Sequence, residues 1–451
     1  MRYFFILGKN PTLSLAELLS VLTQEKQNFS LLATQAEFAI FDFEKSLDAA
    51  ALMRRLGGTI KIGQIIGEIG KLELSARGGS ASGGKNQNDN EKFKIIENIY
   101  YETIILQHHR RANFGFSLYP ATNYKLQTTN YFKPMALSLK ARLKEQGLGS
   151  RWVTSKEPIL SSVVVQKNHL LDQGAEFVLL NKTSPLSPPF KGGEGGGALL
   201  GRTLAVQPFE EYGLREFGKP SRPIEQGILP VKLARMMINL AALPKEGTIL
   251  DPFCGSGTIL GEAVAMGYQN IIGSDISKEA VQEAQKNIKW LLSPSRQGKQ
   301  NPNIKIIPCN VCKLSTTPIH ADAIVTEPYL GPIKFNYLST QQFNNSIHEL
   351  ASLYLAAFAE FTKILKPNGR VVFIFPTFIP PSPRRFSQSA GKNNGPLIKT
   401  SELVTPHLAV LGFSPVPLIR PATYSALYSR PGQQVGREIM IFTFKPLAKE
   451  Q

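Results

Sequence analysis

The chain has 451 residues, 42% of them hydrophobic and 9% aromatic, with 51 Lys and Arg against 34 Asp and Glu for a net charge of +17. That length exceeds one ordinary core, so two or three packed domains are predicted rather than a disordered chain. No apolar run is long enough to span a bilayer, and the opening MRYFFILGKN is too short in its apolar part for a secretory signal core, so a cytoplasmic protein without a membrane partner is expected.

In chain order, YFFILG reads as a strand, SLAELLSVLTQ as an amphipathic helix begun after Pro11, and EFAIFDF as a strand, which together predict a small α+β domain in the first 75 residues. A second unit follows from about residue 92. It has FGFSLYP as a strand, YFKPMALSLKARLKEQG as a basic amphipathic helix, and SRWVTS, SSVVVQ and AEFVLL as further strands. From residue 228 helices and strands alternate: PVKLARMMINLA, TILDPF, TILGEAVAMG, NIIGSDIS, KEAVQEAQKNIKWLL, IKIIPC, ADAIVTEPY, SIHELASLYLAAFAEFTKILK and GRVVFIFP. Such alternation predicts an α/β fold with a mostly parallel, doubly wound sheet. Four stretches rich in Gly, Ser, Pro and Asn, at 76–90, 183–197, 293–303 and 380–396, read as surface insertions that bury no apolar area.

The charge is uneven. Residues 1–50 carry a net −2, 51–200 carry +9, 201–350 carry +2 and 351–451 carry +8. A basic excess on both sides of a nearly neutral middle fits a polyanionic partner, since each neutralised phosphate releases counterions. Cys254, Cys309 and Cys312 cannot make a disulfide framework, and the CNVC spacing lacks the further ligands of a zinc site, so no metal is expected.

The strongest local signal is TILDPFCGSGTILGEAVAMG. A strand ends at Asp251, a turn with Gly255 and Gly257 follows, and a helix begins at Thr258. The next glycine, Gly261, comes one residue late for a dinucleotide fingerprint, and a carboxylate at the strand end would repel a pyrophosphate. S-adenosylmethionine carries an ammonium and a sulfonium instead, which that carboxylate favours. Asp275 ends the next strand, where it can accept from ribose hydroxyls, and Asn310 ends the third, where it can reach an adenine edge. Phe253, Thr258 and Ile276 stand beside these and complete the expected cofactor set.

DPFCGSGT, GSDI and a Pro-Tyr turn closing the fourth strand resemble the S-adenosylmethionine-dependent methyltransferases of exocyclic base amines. With LGKNPTLSLAEL, the basic second unit and RPIEQGILPVKLARMMINLA, the chain is similar to the THUMP-domain tRNA guanine N2-methyltransferases that act on the guanine at position ten. The resemblance implies a ferredoxin-like α+β domain at 1–75, a THUMP-like RNA-binding domain at 92–205 and a Rossmann-like class I methyltransferase domain at 222–451. It implies tRNA as the partner, and leaves open a small protein activator subunit.

In that family the turn reads Asp or Asn, Pro, Pro, aromatic; its first side chain and a backbone carbonyl accept from the amine, and the aromatic stacks on the flipped base. Here Thr326, Glu327, Pro328 and Tyr329 occupy it. The proline and aromatic keep register, Pro328 biases Glu327 toward an extended backbone, and either Thr326 or Glu327 is the acceptor. Lys232 and Arg235 lie on the helix before the cofactor strand, which in similar enzymes covers the methionine end; Arg222 and Pro223 precede it at the expected substrate entrance. Lys133, Lys140, Arg142 and Lys144, with Arg430 and Arg437 near the C-terminus, are the candidate RNA contacts. Rival readings are methylation of ribosomal RNA guanine N2 or DNA adenine N6, or a non-catalytic RNA-binding protein with a relic pocket.

Overall fold

The computed structural model describes residues 1–69, 87–106, 111–119, 128–157, 159–181, 198–222, 228–293, 301–332, 339–378, 397–419, 423–429, 433 and 435–447. Most of the predicted insertions, together with Arg430 and Pro223, lie outside them. In chain order the first elements are β1 (Arg2–Leu7), α1 (Pro11–Gln24), β2 (Phe29–Thr34), β3 (Phe38–Phe43), α2 (Ala49–Arg55), β4 (Thr59–Ile69) and α3 (Gln87–Ile105). They are followed by β5 (Arg111–Tyr119), α4 (Thr128–Glu145), β6 (Gly149–Val153), α5 (Ser162–Lys167), β7 (Gly174–Asn181) and β8 (Ala198–Val206). The chain divides into two compact units, Met1–Pro11 with Glu25–Phe209, and Thr12–Gln24 with Glu210–Gln451.

In the first unit eight strands form one sheet, ordered β2-β3-β1-β4-β8-β7-β5-β6. Strands of the segments 1–75 and 92–205 therefore share a single hydrogen-bonded layer, joined where β4 pairs antiparallel with β8. Aromatics of β5 and β7 meet α3 and α4: Tyr100 stacks on Phe177 at 4.0 Å between ring centroids and Phe132 on Phe116 at 4.8 Å. The buried Lys61 bonds Glu176, whose carboxylate also accepts from Ser117 and Thr203, so this charge pair is enclosed with its hydrogen bonds made. SSVVVQ departs from its expected strand and forms α5. The Ser161 hydroxyl accepts from the Val164 N–H, and one face of the turn buries Val165 among Leu160, Leu170 and Val206, which outweighs the β preference of three valines. The helix α3 also begins inside the stretch read as an insertion, at Gln87.

The second unit continues with α6 (Phe209–Phe217), α7 (Val231–Leu240), β9 (Thr248–Asp251), α8 (Thr258–Ala265), β10 (Asn270–Asp275), α9 (Lys278–Leu291), β11 (Asn303–Pro308) and β12 (Ala321–Thr326). It ends with α10 (Thr340–Ile364), β13 (Leu365–Phe378), β14 (Ile398–Lys399), α11 (Ser401–Leu408), β15 (Phe413–Val416), β16 (Ser425–Tyr428) and β17 (Val435–Phe444). The main path of the sheet runs β11-β10-β9-β12-β13-β17-β15, parallel through β13 and antiparallel beyond it. This is a Rossmann-like sheet, and the strand order reverses direction between β9 and β12, where open α/β sheets place their ligands. Two apolar cores, one on Met237, Leu260 and Ile271 and one on Tyr354, Phe358 and Phe373, cover its two faces. The N-terminal helix α1 belongs to this unit: Leu13 and Ala16 enter the first core, Glu17 accepts from the Asn239 amide at 2.7 Å, and the Ser20 hydroxyl donates to the Asn239 carbonyl at 2.8 Å. Among the described residues no helix is long and apolar enough to cross a membrane.

Candidate active site

The end of β9 and the end of β12 are tied directly. The Thr326 hydroxyl donates to Asp251 Oδ1 at 2.7 Å, and the Phe253 N–H donates to the same oxygen at 3.3 Å. Asp251 is only 2% exposed. Burial raises its carboxyl to about 8, the two donors oppose that rise, and the nearby charges of Asp275 and Glu327 add to it. The glycine turn needs its glycines for different reasons. Gly257 caps α8 at φ +82°, and a Cβ there would come within 3.1 Å of the Ala284 Cβ; Gly255, at φ +48°, would point a Cβ into open space, so backbone is bare where a ligand can approach. Asp275 grips this turn: its Oδ2 accepts from the Gly255 N–H at 2.9 Å and its Oδ1 from the Ser277 N–H at 3.0 Å. Beside it Ile276 is 72% exposed, an apolar face next to an acid at the strand end.

The structure brings Asp251, Phe253, Gly255, Gly257, Asp275 and Ile276 around the same strand ends. Thr258 follows, but its hydroxyl accepts from Lys219 Nζ at 3.0 Å. Lys219 is a neighbour that local sequence gave no reason to choose; burial lowers its pKa. Asn310 is exposed, and its Oδ1 is taken by the Cys312 N–H at 3.0 Å as the cap of a short 3-10 turn, Val311–Thr316, leaving its amide N–H groups for another partner. In the helix before β9, Arg235 is buried with Nε on Glu262 at 2.8 Å, while Lys232 lies 5.3 Å above the Tyr212 ring. Arg222 is exposed and stands over the Phe217 ring at 5.2 Å.

The turn after β12 splits the two acceptor candidates. Thr326 is fully buried and its proton is committed to Asp251, so it braces the cofactor strand. Glu327 lies one residue further, its side chain 14% exposed, with Oε1 accepting from Arg437 Nε. Burial raises the Glu327 pKa, and the Arg437 guanidinium opposes that rise. Pro328 is buried, Tyr329 is 57% exposed, and the Tyr329 carbonyl accepts from the Tyr354 hydroxyl at 2.6 Å, which pins the turn to α10.

Two of the expected RNA contacts have partners within the protein. Arg437, expected to approach RNA, is 5% exposed, because β17 is interior between β13 and the edge strands and directs this side chain at Glu327. Arg142 is half-buried. It donates to Glu97 at 3.2 Å and Asn98 at 2.8 Å and lies 4.1 Å over the Tyr101 ring, which fastens α4 to α3. Lys133, Lys140 and Lys144 are exposed on α4 as expected.

Residues 220–382 match the RMKL-like methyltransferase domain. Three curated relatives share one name. A tRNA (guanine(10)-N2)-dimethyltransferase of Methanothermobacter thermautotrophicus is 39% identical over 92 residues, 20% of this chain and 26% of the relative. That of Methanocaldococcus jannaschii is 28% identical over 184 residues, 40% of this chain and 48% of the relative. A probable enzyme of the same name from Methanothermococcus thermolithotrophicus is 33% identical over 143 residues, 32% of this chain and 78% of the relative. The chain belongs to this family. Its matches span less than half the length of the first two relatives. Among solved structures, TrmN from Thermus thermophilus aligns over 98% of this chain and 100% of its own with a TM-score of 0.51 and 12% identity, a likeness of fold.

The cofactor of the domain is S-adenosylmethionine, and the residues present fit it. A bare glycine turn, a buried acid at the end of β9 and a second acid with an exposed isoleucine at the end of β10 suit a ligand with a cationic end, a ribose and a flat base.

Proposed function

We propose that the chain methylates the exocyclic N2 of guanine in tRNA, with S-adenosylmethionine as donor, in the cytoplasm. When bound, S-adenosylmethionine supplies an electrophilic methyl group whose transfer leaves the bonding pair on sulfur. The observation that carries the reading is the junction of the two strand ends through Thr326 and Asp251, which sets the Glu327-Pro328-Tyr329 turn directly beside the cofactor crevice.

In this reading Asp251 faces the cationic end of the cofactor and Asp275 holds the glycine turn and the ribose. Gly255 and Gly257 let the backbone approach, Ile276 and Phe253 flank the adenine, and Asn310 donates to its edge. The target amine is conjugated with the purine ring, so its lone pair must be turned toward the methyl group by acceptors on its N–H bonds. With Thr326 occupied, Glu327 supplies the side-chain acceptor and takes the departing proton, and the exposed Tyr329 ring stacks on the base. The segments 1–75 and 92–205 are read as the ferredoxin-like and THUMP-like parts that hold the RNA, with Lys133, Lys140 and Lys144 against phosphates. The family resemblance brings tRNA as the partner.

The test is transfer of labelled methyl to bulk tRNA followed by mass spectrometric nucleoside analysis. N2-methylguanosine is expected from the wild type, and Glu327→Gln should lose about 10²–10⁴-fold in rate with cofactor binding kept. Cofactor and RNA binding without any label incorporated would refute the enzymatic reading.

A further inference from the structure

Glu327 and Arg437 are 110 residues apart in the chain. The antiparallel pairing of β17 with β13 brings them together: Arg437 stands opposite Pro376, three residues past Phe373, the partner of Thr326 in the parallel pair β12–β13. The adjoining carboxylate does not compete for this guanidinium. Glu438 alternates to the other face of β17, where it is bonded by Lys399 at 3.0 Å, Ser425 at 2.7 Å and Ser401. Arg437 contacts Glu327 through Oε1, while among the described residues nothing bonds Oε2.

Building on the methyl-transfer reading, we infer that Arg437 is the positioning residue of this turn: its Nε anchors one oxygen of Glu327 and leaves the other to meet the substrate amine. The turn has threonine at its first position, bonded to Asp251, so the first carboxylate that can face a substrate stands one residue later, at Glu327. A long acidic side chain there would sweep through several rotamers and, enclosed, would take up a proton. The guanidinium counters both faults, fixing the direction of the side chain and opposing the rise in its pKa that burial causes. The bond from N2 to the methyl carbon forms as the bond from sulfur to that carbon breaks, the electron pair stays on sulfur, and the proton of the amine passes to Glu327 Oε2.

The other ionisable groups that feel the charge of Glu327 are Asp251 from β9 and Tyr354 from α10. Neither offers a positive charge, so Arg437 is the counter-ion among the described residues. A purely structural ion pair would also hold the fold, and the experiment must separate the two.

The measurement is kcat against pH for wild type, Arg437→Gln and Arg437→Lys with bulk tRNA, together with the carboxylic acid stretch of Glu327 by difference infrared spectroscopy, assigned by its loss in Glu327→Gln. Losing the guanidinium should move the acid limb of kcat, and the infrared titration with it, up by about one pH unit or more, roughly a tenfold loss of rate below the new limb. KM for the cofactor should stay within about twofold. Arg437→Lys, which keeps the charge but not the fork, should leave the limb near the wild-type position with kcat lowered about tenfold. Superimposable pH profiles in all three proteins would overturn the inference, as would an unchanged kcat in Arg437→Lys if Arg437→Gln fails to fold. A wild type that transfers no methyl would count against the methyl-transfer reading, and the infrared titration would still decide whether Arg437 sets the state of Glu327.

Discussion

Without ligand, Asp251 holds its proton up to about pH 8, because its carboxyl is enclosed and, among the described residues, two neutral donors reach it. A cation set beside it reverses the balance and ionises it. At pH 7 a group with a pKa about 8 is protonated roughly ten times in eleven, so binding of S-adenosylmethionine should release about 0.9 proton from this site. The ligand amine takes up only about a tenth to a sixth of a proton at that pH. The rise from 3.8 to about 8 corresponds to at most ~6 kcal/mol against the charged, ligand-free form, and relaxation of the site makes the working figure several-fold smaller. The sign for stability follows. A carboxyl raised in the folded state stabilises fully below about pH 4, and that contribution is lost as pH climbs through about 8. Calorimetric titration with the cofactor in two buffers of different ionisation enthalpy counts the protons, and affinity should climb by up to tenfold per pH unit between about 5 and 8 and then level. Asp251→Asn, which can still accept from Thr326, should cut the buffer dependence to the small uptake by the ligand amine. Binding enthalpies identical in both buffers at pH 7 for the wild type, with affinity flat from pH 6 to 9, would refute the placement of a cation at this acid.

Two further outcomes are expected. Tyr329→Ala should leave the thermal midpoint within about a degree or two, since the ring is 57% exposed, yet lower kcat/KM for tRNA by about 10–100-fold through lost stacking; equal kcat/KM would remove the ring from the base site. Gly257→Ala should cost about 1–2 kcal/mol in denaturant unfolding, because φ +82° is strained for any residue with a Cβ and Ala284 stands 3.1 Å away; an unchanged midpoint would mean the cap rearranges freely.

What the sequence made legible follows from range. The glycine turn, the acids closing β9 and β10, and the alternation from α7 to β13 are set by neighbours in the chain, and periodicity exposes them. The valines of α5 misled because a serine cap and one buried Val165 decided that turn, and both depend on strands distant in sequence. The turn after β12 was visible as Pro328 and Tyr329, but the different bonding of Thr326 and Glu327 was not. It depends on Asp251, 75 residues earlier, and Arg437, 110 residues later, and no local pattern ties an arginine in the final strand to a carboxylate in the middle of the domain. The same holds for Arg142, whose partners Glu97 and Asn98 sit on α3, so a basic helix seen in sequence carries fewer outward charges than its count suggests.

The helix α1 has an implication for anyone dissecting this molecule. An expression clone begun at residue 210 would look like a tidy catalytic fragment on paper, yet it would lack Leu13 and Ala16 from its interior and strip the Asn239 side chain and carbonyl of Glu17 and Ser20. A usable fragment would have to carry that helix grafted back, since the seam visible along the polypeptide is not the seam between the folded bodies.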